Sequence, residues 1–104
     1  MDRNELFRLL DSLAKRPEMY VHPVSFYSIR TYLHGLAAGL KFAGIEYSWE
    51  DYHSAATVRG FDPRGSTGIK RDFDAKGLSD EAMILEYIAI EVGAYRRAVE
   101  TSTE

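Results

Sequence analysis

The chain has 104 residues, no cysteine and a formal net charge of −3. That length suits one domain, residues 1–104, able to bury roughly 60–70% of the surface its unfolded chain exposes without metal or disulfide staples. The lack of cysteine removes disulfide frameworks, thiolate nucleophiles and Cys-containing zinc sites, and it fits a reducing cytoplasm. A mildly acidic balance is the wrong sign for a protein that gains affinity by neutralising phosphates, so no nucleic acid is expected and a basic protein surface is the more natural partner.

The segment Met1-Asp2-Arg3-Asn4-Glu5 carries acids with no apolar run of signal-peptide length behind it. No window approaches the roughly 18 apolar residues of a membrane span, so no membrane association and a cytoplasmic location are expected. Residues 2–16 read as a first amphipathic helix, capped by Asp2 or Asn4, with Leu6, Leu9, Leu10, Leu13 and Ala14 on one face. Pro17 closes it.

Next comes Arg16-Pro17-Glu18-Met19-Tyr20-Val21-His22-Pro23, a connector in which each proline fixes its own φ and pushes the residue before it out of helical geometry. Met19 is expected to fill a core gap there. A second helix opens at Ser25 and runs to about Ala43, burying Phe26, Ile29, Leu33, Leu36, Ala37 and Leu40, with Gly44 as its stop. Gly35 and Gly39 lie one turn apart inside it. Each costs about 1 kcal/mol of helix propensity, which predicts a flat face for close helix approach.

Ser48 with Asp51 forms a capping-box pattern that opens a third helix over 49–58. Residues 59–78 are rich in Gly, Asp, Ser and charge and read as a solvated loop, with a short helical turn over 69–75 anchored by Ile69 and Phe73. The last helix starts at the N-cap Ser79, with Asp80 and Glu81 in its first turn, a staple spacing between Leu78 and Met83, and a core face of Ile84, Leu85, Ile88, Val92, Tyr95 and Val99. On this reading Glu86, Glu91 and Arg96 point away from the core. Thr101 to Glu104 are expected to fray. The fold class is therefore all-α, a bundle of four main helices with one extra short one.

No catalytic signature emerges. His22, His34 and His53 have no ligand spacing, so no metal is expected. No serine sits in a strand-to-helix elbow, and the carboxylate pairs Glu50/Asp51 and Asp72/Asp74 read as solvated. Gly65-Ser66-Thr67-Gly68-Ile69-Lys70 lacks phosphate-loop spacing and no strand precedes it, which leaves no expected cofactor.

The aromatics carry more information. Seven tyrosines exceed what a helical core of this size needs, because each buried phenol must find a hydrogen-bond partner. Tyr47, Trp49 and Tyr52 alternate with Glu46, Glu50 and Asp51, an acidic-aromatic pattern suited to a protein interface. Two readings stand for Trp49 and Tyr52: contact residues, or plugs at the start of the third helix.

Lys15-Arg16-Pro17 followed by Met19-Tyr20, behind a short amphipathic helix, resembles a family of small bacterial proteins with the pattern K-R-P-G-M-Y-[LI]-G and then an aromatic-rich helix ending in glycine. Ser25, the run from Ile29 to Leu40 and the Ser79-Asp80-Glu81-Ala82 helix start match that family in kind, while Glu18 and His22 replace its glycines. The resemblance implies an all-helical immunity protein, found beside secreted or contact-delivered toxins, that neutralises a cognate toxin by occluding its active site and is not itself an enzyme. The expected contact residues are Tyr20, His22, Glu46, Tyr47, Trp49, Glu50, Asp51 and Tyr52. The same string also resembles R-P-G-M-Y-I-G of gyrase-type ATPases, but that fold needs a mixed sheet and a glycine-rich ATP lid, and neither is predicted. An alternative is a homo-oligomeric regulatory or adaptor module pairing through Gly35 and Gly39.

Overall fold

A computed structural model describes residues 2–65 and 68–102, and within them the chain is all-helical. The order is α1 (Arg3–Lys15), a 3₁₀ turn (Pro17–Met19), α2 (Phe26–Phe42), α3 (Trp49–Val58), the short α4 (Ile69–Ala75) and α5 (Asp80–Ser102). The chain divides into two compact units, Met1–Glu46 and Tyr47–Glu104.

In the first unit, Asp2 is the N-cap of α1. Its carboxylate accepts the Glu5 N–H at 2.8 Å, which holds its pKa below the usual range. Leu6, Leu10 and Leu13 are fully buried at three- and four-residue spacing. Arg16 leaves helical geometry at φ −139°, ψ 65°, as a residue before proline must, and the 3₁₀ turn follows. The His22-Pro23 peptide is cis. Glu18 and His22 stand where glycine was expected, yet no described non-glycine residue has positive φ, so neither position needs glycine's freedom.

Ser25 caps α2 by accepting the Ser28 N–H at 3.1 Å. Phe26, Ile29, Leu33 and Leu40 form the buried stripe, whereas Leu36 and Ala37 sit at its half-buried margin. Gly44, at φ +78°, ends the helix, and the Ile45 N–H closes back onto the Leu40 carbonyl at 3.0 Å. Gly35 and Gly39 present an open face: beyond their own helix backbone and chain neighbours, no heavy atom lies within 4 Å of a Cβ placed on either. Met19 corrects the sequence reading. It is 67% exposed and fills no core gap, because the 3₁₀ turn carries it outward.

In the second unit the capping box is complete: the Asp51 N–H donates to Ser48 Oγ at 3.1 Å and the Ser48 N–H donates to the Asp51 carboxylate at 3.0 Å. α3 packs along α5, with the close approach at Gly93, where an added Cβ would stand 3.1 Å from Ala55 Cβ. After α3, Phe61 lies edge-on to the fully buried Phe73 of α4 at 4.8 Å, and Lys76 stands 5.3 Å over the Phe61 ring. Ile69 and Phe73 anchor α4 as the spacing predicts. Ser66 and Thr67 of the glycine-rich stretch lie outside the described residues.

Ser79 caps α5 by accepting the Ala82 N–H at 3.1 Å. The buried face of this helix differs from the sequence reading. Ile84, Ile88 and Tyr95 are buried, but Leu85 is 48% exposed and Val92 and Val99 are half-buried, while Tyr87, Glu91 and Ala94 turn inward. Residues 84, 87, 88, 91, 94 and 95 form one three-four stripe, whereas 85, 92 and 99 flank it about 100° round the helix. Glu91 therefore sits mid-stripe, opposite to expectation. The helix includes Thr101 and Ser102; the expected fraying of Thr103 and Glu104 falls outside the described residues.

Candidate binding surface

Tyr47 is the first residue of the second unit and enters α3 with its ring held on three sides. It lies edge-on to Tyr95 at 4.8 Å, stacks on Tyr52 at 5.9 Å, and its hydroxyl donates to Glu91 Oε1 at 3.0 Å. Tyr47 is half-buried, so it braces the surface from below. Glu91 is 3% exposed, and burial raises its pKa to about 7 against the opposing pull of the Tyr47 hydroxyl. The neighbouring phenols respond in the same sense. Burial and then the Glu91 charge push Tyr95 up to about 12, and the same two causes raise Tyr47 further.

Above this brace, Trp49 is 54% exposed in the first turn of α3, 6.0 Å from the ring of Tyr52 and 6.0 Å from that of His53. Glu50, exposed beside it, forms no ion pair with a described residue. Asp51 is committed to the capping box, which makes it a support of the turn. The aromatic run continues from His53 into a shallow groove of about 370 Å³ lined by Thr57, Phe61, Asp62, Arg64 and Lys76. Four of the five cations in residues 59–76 form ion pairs. Arg64 binds Asp62 at 2.9 Å, holding that carboxyl down at about 2; Lys76 binds Asp72 at 2.6 Å, Lys70 binds Asp74 at 2.7 Å, and Arg59 binds Glu86 at 2.6 Å. Arg71 forms no ion pair with a described residue, and with five cations against three carboxylates the 59–76 segment keeps a net positive charge.

The remaining expected contact residues belong to the first unit. Tyr20 is half-buried: its hydroxyl donates to Ser12 Oγ on α1 at 2.8 Å and its ring meets Tyr32 of α2 edge-on at 5.9 Å. It locks the connector. His22 is exposed and borders an open groove of about 490 Å³ with Val21, Tyr27, Ser28, Thr31 and Tyr32. Burial and then Tyr20 raise the Tyr32 phenol; burial and then Arg30 lower the His34 imidazole. Glu46 is exposed at the end of this unit.

The structure thus brings Tyr47, Trp49, Glu50, Asp51 and Tyr52 together on one short segment, in two roles: Trp49 and Glu50 are presented, Tyr47 and Asp51 hold them. Sequence reasoning missed His53 and Glu91. His53 follows Trp49 by four residues on one helix face, and Glu91 is three or four residues from Tyr87, Ile88, Ala94 and Tyr95, so both were discoverable from spacing. Among the described residues, no group of three or more His, Cys, Asp or Glu side chains is placed to hold a metal ion, and no helix is long and apolar enough to cross a membrane. No family model, curated protein or solved structure matches the chain. What the surface offers chemically is a large exposed π-face, an adjacent carboxylate and a rigid backing, which together can desolvate and orient a partner side chain.

Proposed function

We propose that the chain is a cytoplasmic immunity-type protein that binds one molecule of a cognate bacterial toxin and neutralises it by covering its active site, with no chemistry of its own. Trp49 carries this reading. It is the only tryptophan, it is more than half exposed, and a complete capping box fixes the turn that presents it. Tryptophan is the side chain most often found at the energetic centre of an interface, and an anchor already ordered in the free protein loses little affinity to ordering.

Charge supports a basic partner surface. Residues 47–104 contain eleven acidic and seven basic side chains, against five and six in residues 1–46. The excess of carboxylates lies in the unit that carries Trp49, where it steers a cationic partner toward the aromatic face.

The test is co-purification with the product of the adjacent gene, followed by titration of variants. Trp49→Ala is expected to weaken the complex by roughly 30-fold or more, the range of an interface anchor, and Glu50→Lys to slow association in a salt-dependent way. Asp51 is excluded from the charge reversal because it caps α3. Unchanged affinity in both variants would remove this surface from the interface.

A second reading, a self-associating adaptor, draws support from Phe42, which is 96% exposed on the same helix as the open Gly35 and Gly39. Sedimentation over a range of concentrations separates the two readings. A concentration-independent monomer rules out the adaptor.

A further inference from the structure

We infer that Glu91 and Tyr47 form a proton-operated latch that seats the first turn of α3 and, with it, the Trp49 surface. The geometry has three parts. Glu91 lies within the buried stripe of α5, between Ile88 and Tyr95. Its one described hydrogen-bond partner is the Tyr47 hydroxyl at 3.0 Å, which comes from the segment entering α3. Tyr47 then stacks on Tyr52, and Tyr52 lies against Trp49, so a single unbroken line of contacts joins the carboxyl to the exposed indole.

The groups around Glu91 leave it as the member that titrates. Tyr47 from the segment before α3 and Tyr95 from its own helix interact with its charge, and Tyr87 bears on Tyr47. These phenols keep their protons throughout the neutral range because burial and the nearby carboxylate push them up. Tyr47 is therefore always the donor. No lysine, arginine or histidine among the described residues lowers the cost of ionising Glu91, and burial has already moved its titration to about pH 7.

With its proton, the carboxyl is neutral, accepts from Tyr47 and tolerates the apolar stripe. Once the proton leaves to solvent, a buried negative charge is held by one phenol donor alone. Such a charge draws in water or swings toward solvent, and either response pulls on the Tyr47 hydroxyl. The hold on Tyr47 therefore changes as pH rises through neutrality, and Trp49 feels the change. The inference needs no partner and stands or falls apart from the toxin-binding reading.

Trp49 is the sole tryptophan, so its emission reports on the latch directly in the intact chain. Titrated from pH 5 to 9, the wild-type protein is expected to show a one-proton step near neutrality. Glu91→Gln keeps the acceptor for Tyr47 but has no proton to lose, and it is expected to hold the acid-side emission throughout. Tyr47→Phe removes the hydroxyl that links Glu91 to the line of rings, and the step is expected to disappear from the Trp49 emission. His53→Asn tests the imidazole beside Trp49 as another source of signal, and the step is expected to survive it. Absence of a step in wild type, an unchanged step in Glu91→Gln, or loss of the step in His53→Asn overturns the latch. If Glu91→Gln loses its helical circular dichroism, Tyr47→Phe decides: loss of the step supports the latch and a retained step refutes it.

Discussion

Tyr20 and Tyr47 have the same task at different helix entries, and the partner each hydroxyl finds separates them. Each lies edge-on to another tyrosine, Tyr32 and Tyr95 respectively, and each donates one hydrogen bond to a side chain of another helix, Ser12 on α1 and Glu91 on α5. Tyr20 donates to the neutral hydroxyl of Ser12, in a connector whose path two prolines already constrain. Tyr47 donates to a buried carboxyl, in a segment whose path depends on side chains: the Ser48/Asp51 cap and Glu91. One entry is set by backbone stiffness and a bond between two hydroxyls. The other is set by a titrating group, so its strength varies with solution conditions.

The largest expected effect breaks that comparison at Glu91. Its folded-state pKa is raised from 4.5 to about 7, so the folded chain binds the proton more tightly than the unfolded one. The resulting stability is fully present below about pH 4.5 and is lost as pH rises through about 7. The shift corresponds to about 3 kcal/mol at about 1.4 kcal/mol per unit. Urea unfolding of Glu91→Gln at pH 8 is thus expected to give a stability up to about 3 kcal/mol above wild type, converging with it near pH 4.5. Asp2, Asp62 and Asp72 are shifted the opposite way, by hydrogen bonds to Glu5 N–H, Arg64 and Lys76. Their contribution is lost as pH falls into the acid range, and that of His34, whose imidazole is lowered by burial, is lost as pH falls below about 6.5, whereas Glu91 alone among these loses stability as pH rises.

Gly93→Val probes the seam that keeps α3 against α5 beneath the latch. A Cβ there already meets Ala55 Cβ at 3.1 Å, so a loss of about 2 kcal/mol is expected from overpacking. Tyr20→Phe is the counterpart in the first unit. Losing its bond to Ser12 is expected to cost about 1 kcal/mol, equally at pH 5 and pH 8, and a pH-dependent loss would erase the contrast between the two tyrosines.

Sequence reading succeeded where the physics is local. Asp2, Ser25, Ser48 and Ser79 act as caps because an N-cap needs only a short side-chain oxygen and the amides two or three residues on. It failed where a partner from elsewhere in the chain decides. Glu91, expected to point away from the core, lies in the stripe with Ile88 and Tyr95, and a phenol 44 residues away makes that burial tolerable. The close approach within the chain lies at Gly93, which local sequence does not announce because it depends on Ala55 of another helix presenting its Cβ there. At the candidate surface, alternation of aromatics and acids located the segment. It could not separate the presented Trp49 from the bracing Tyr47, since that division depends on which ring meets α5.

The smallest expected effect concerns those open glycines. Gly35 and Gly39 lie inside α2 with ordinary helical φ and free space beyond, so Gly35→Ala and Gly39→Ala meet no obstacle in the isolated chain. Each is expected to gain about 0.5–1 kcal/mol, because alanine restricts the unfolded chain more than glycine does and fits the helix better. Thermal unfolding of both single variants checks this, and Gly93→Ala supplies the comparison, since there the same methyl must displace Ala55. A stability loss at 35 or 39 that grows with protein concentration would mean the face is occupied by a second copy in solution. That result would move the adaptor reading ahead of toxin neutralisation, because the open face of α2 would then be the surface on which this chain acts.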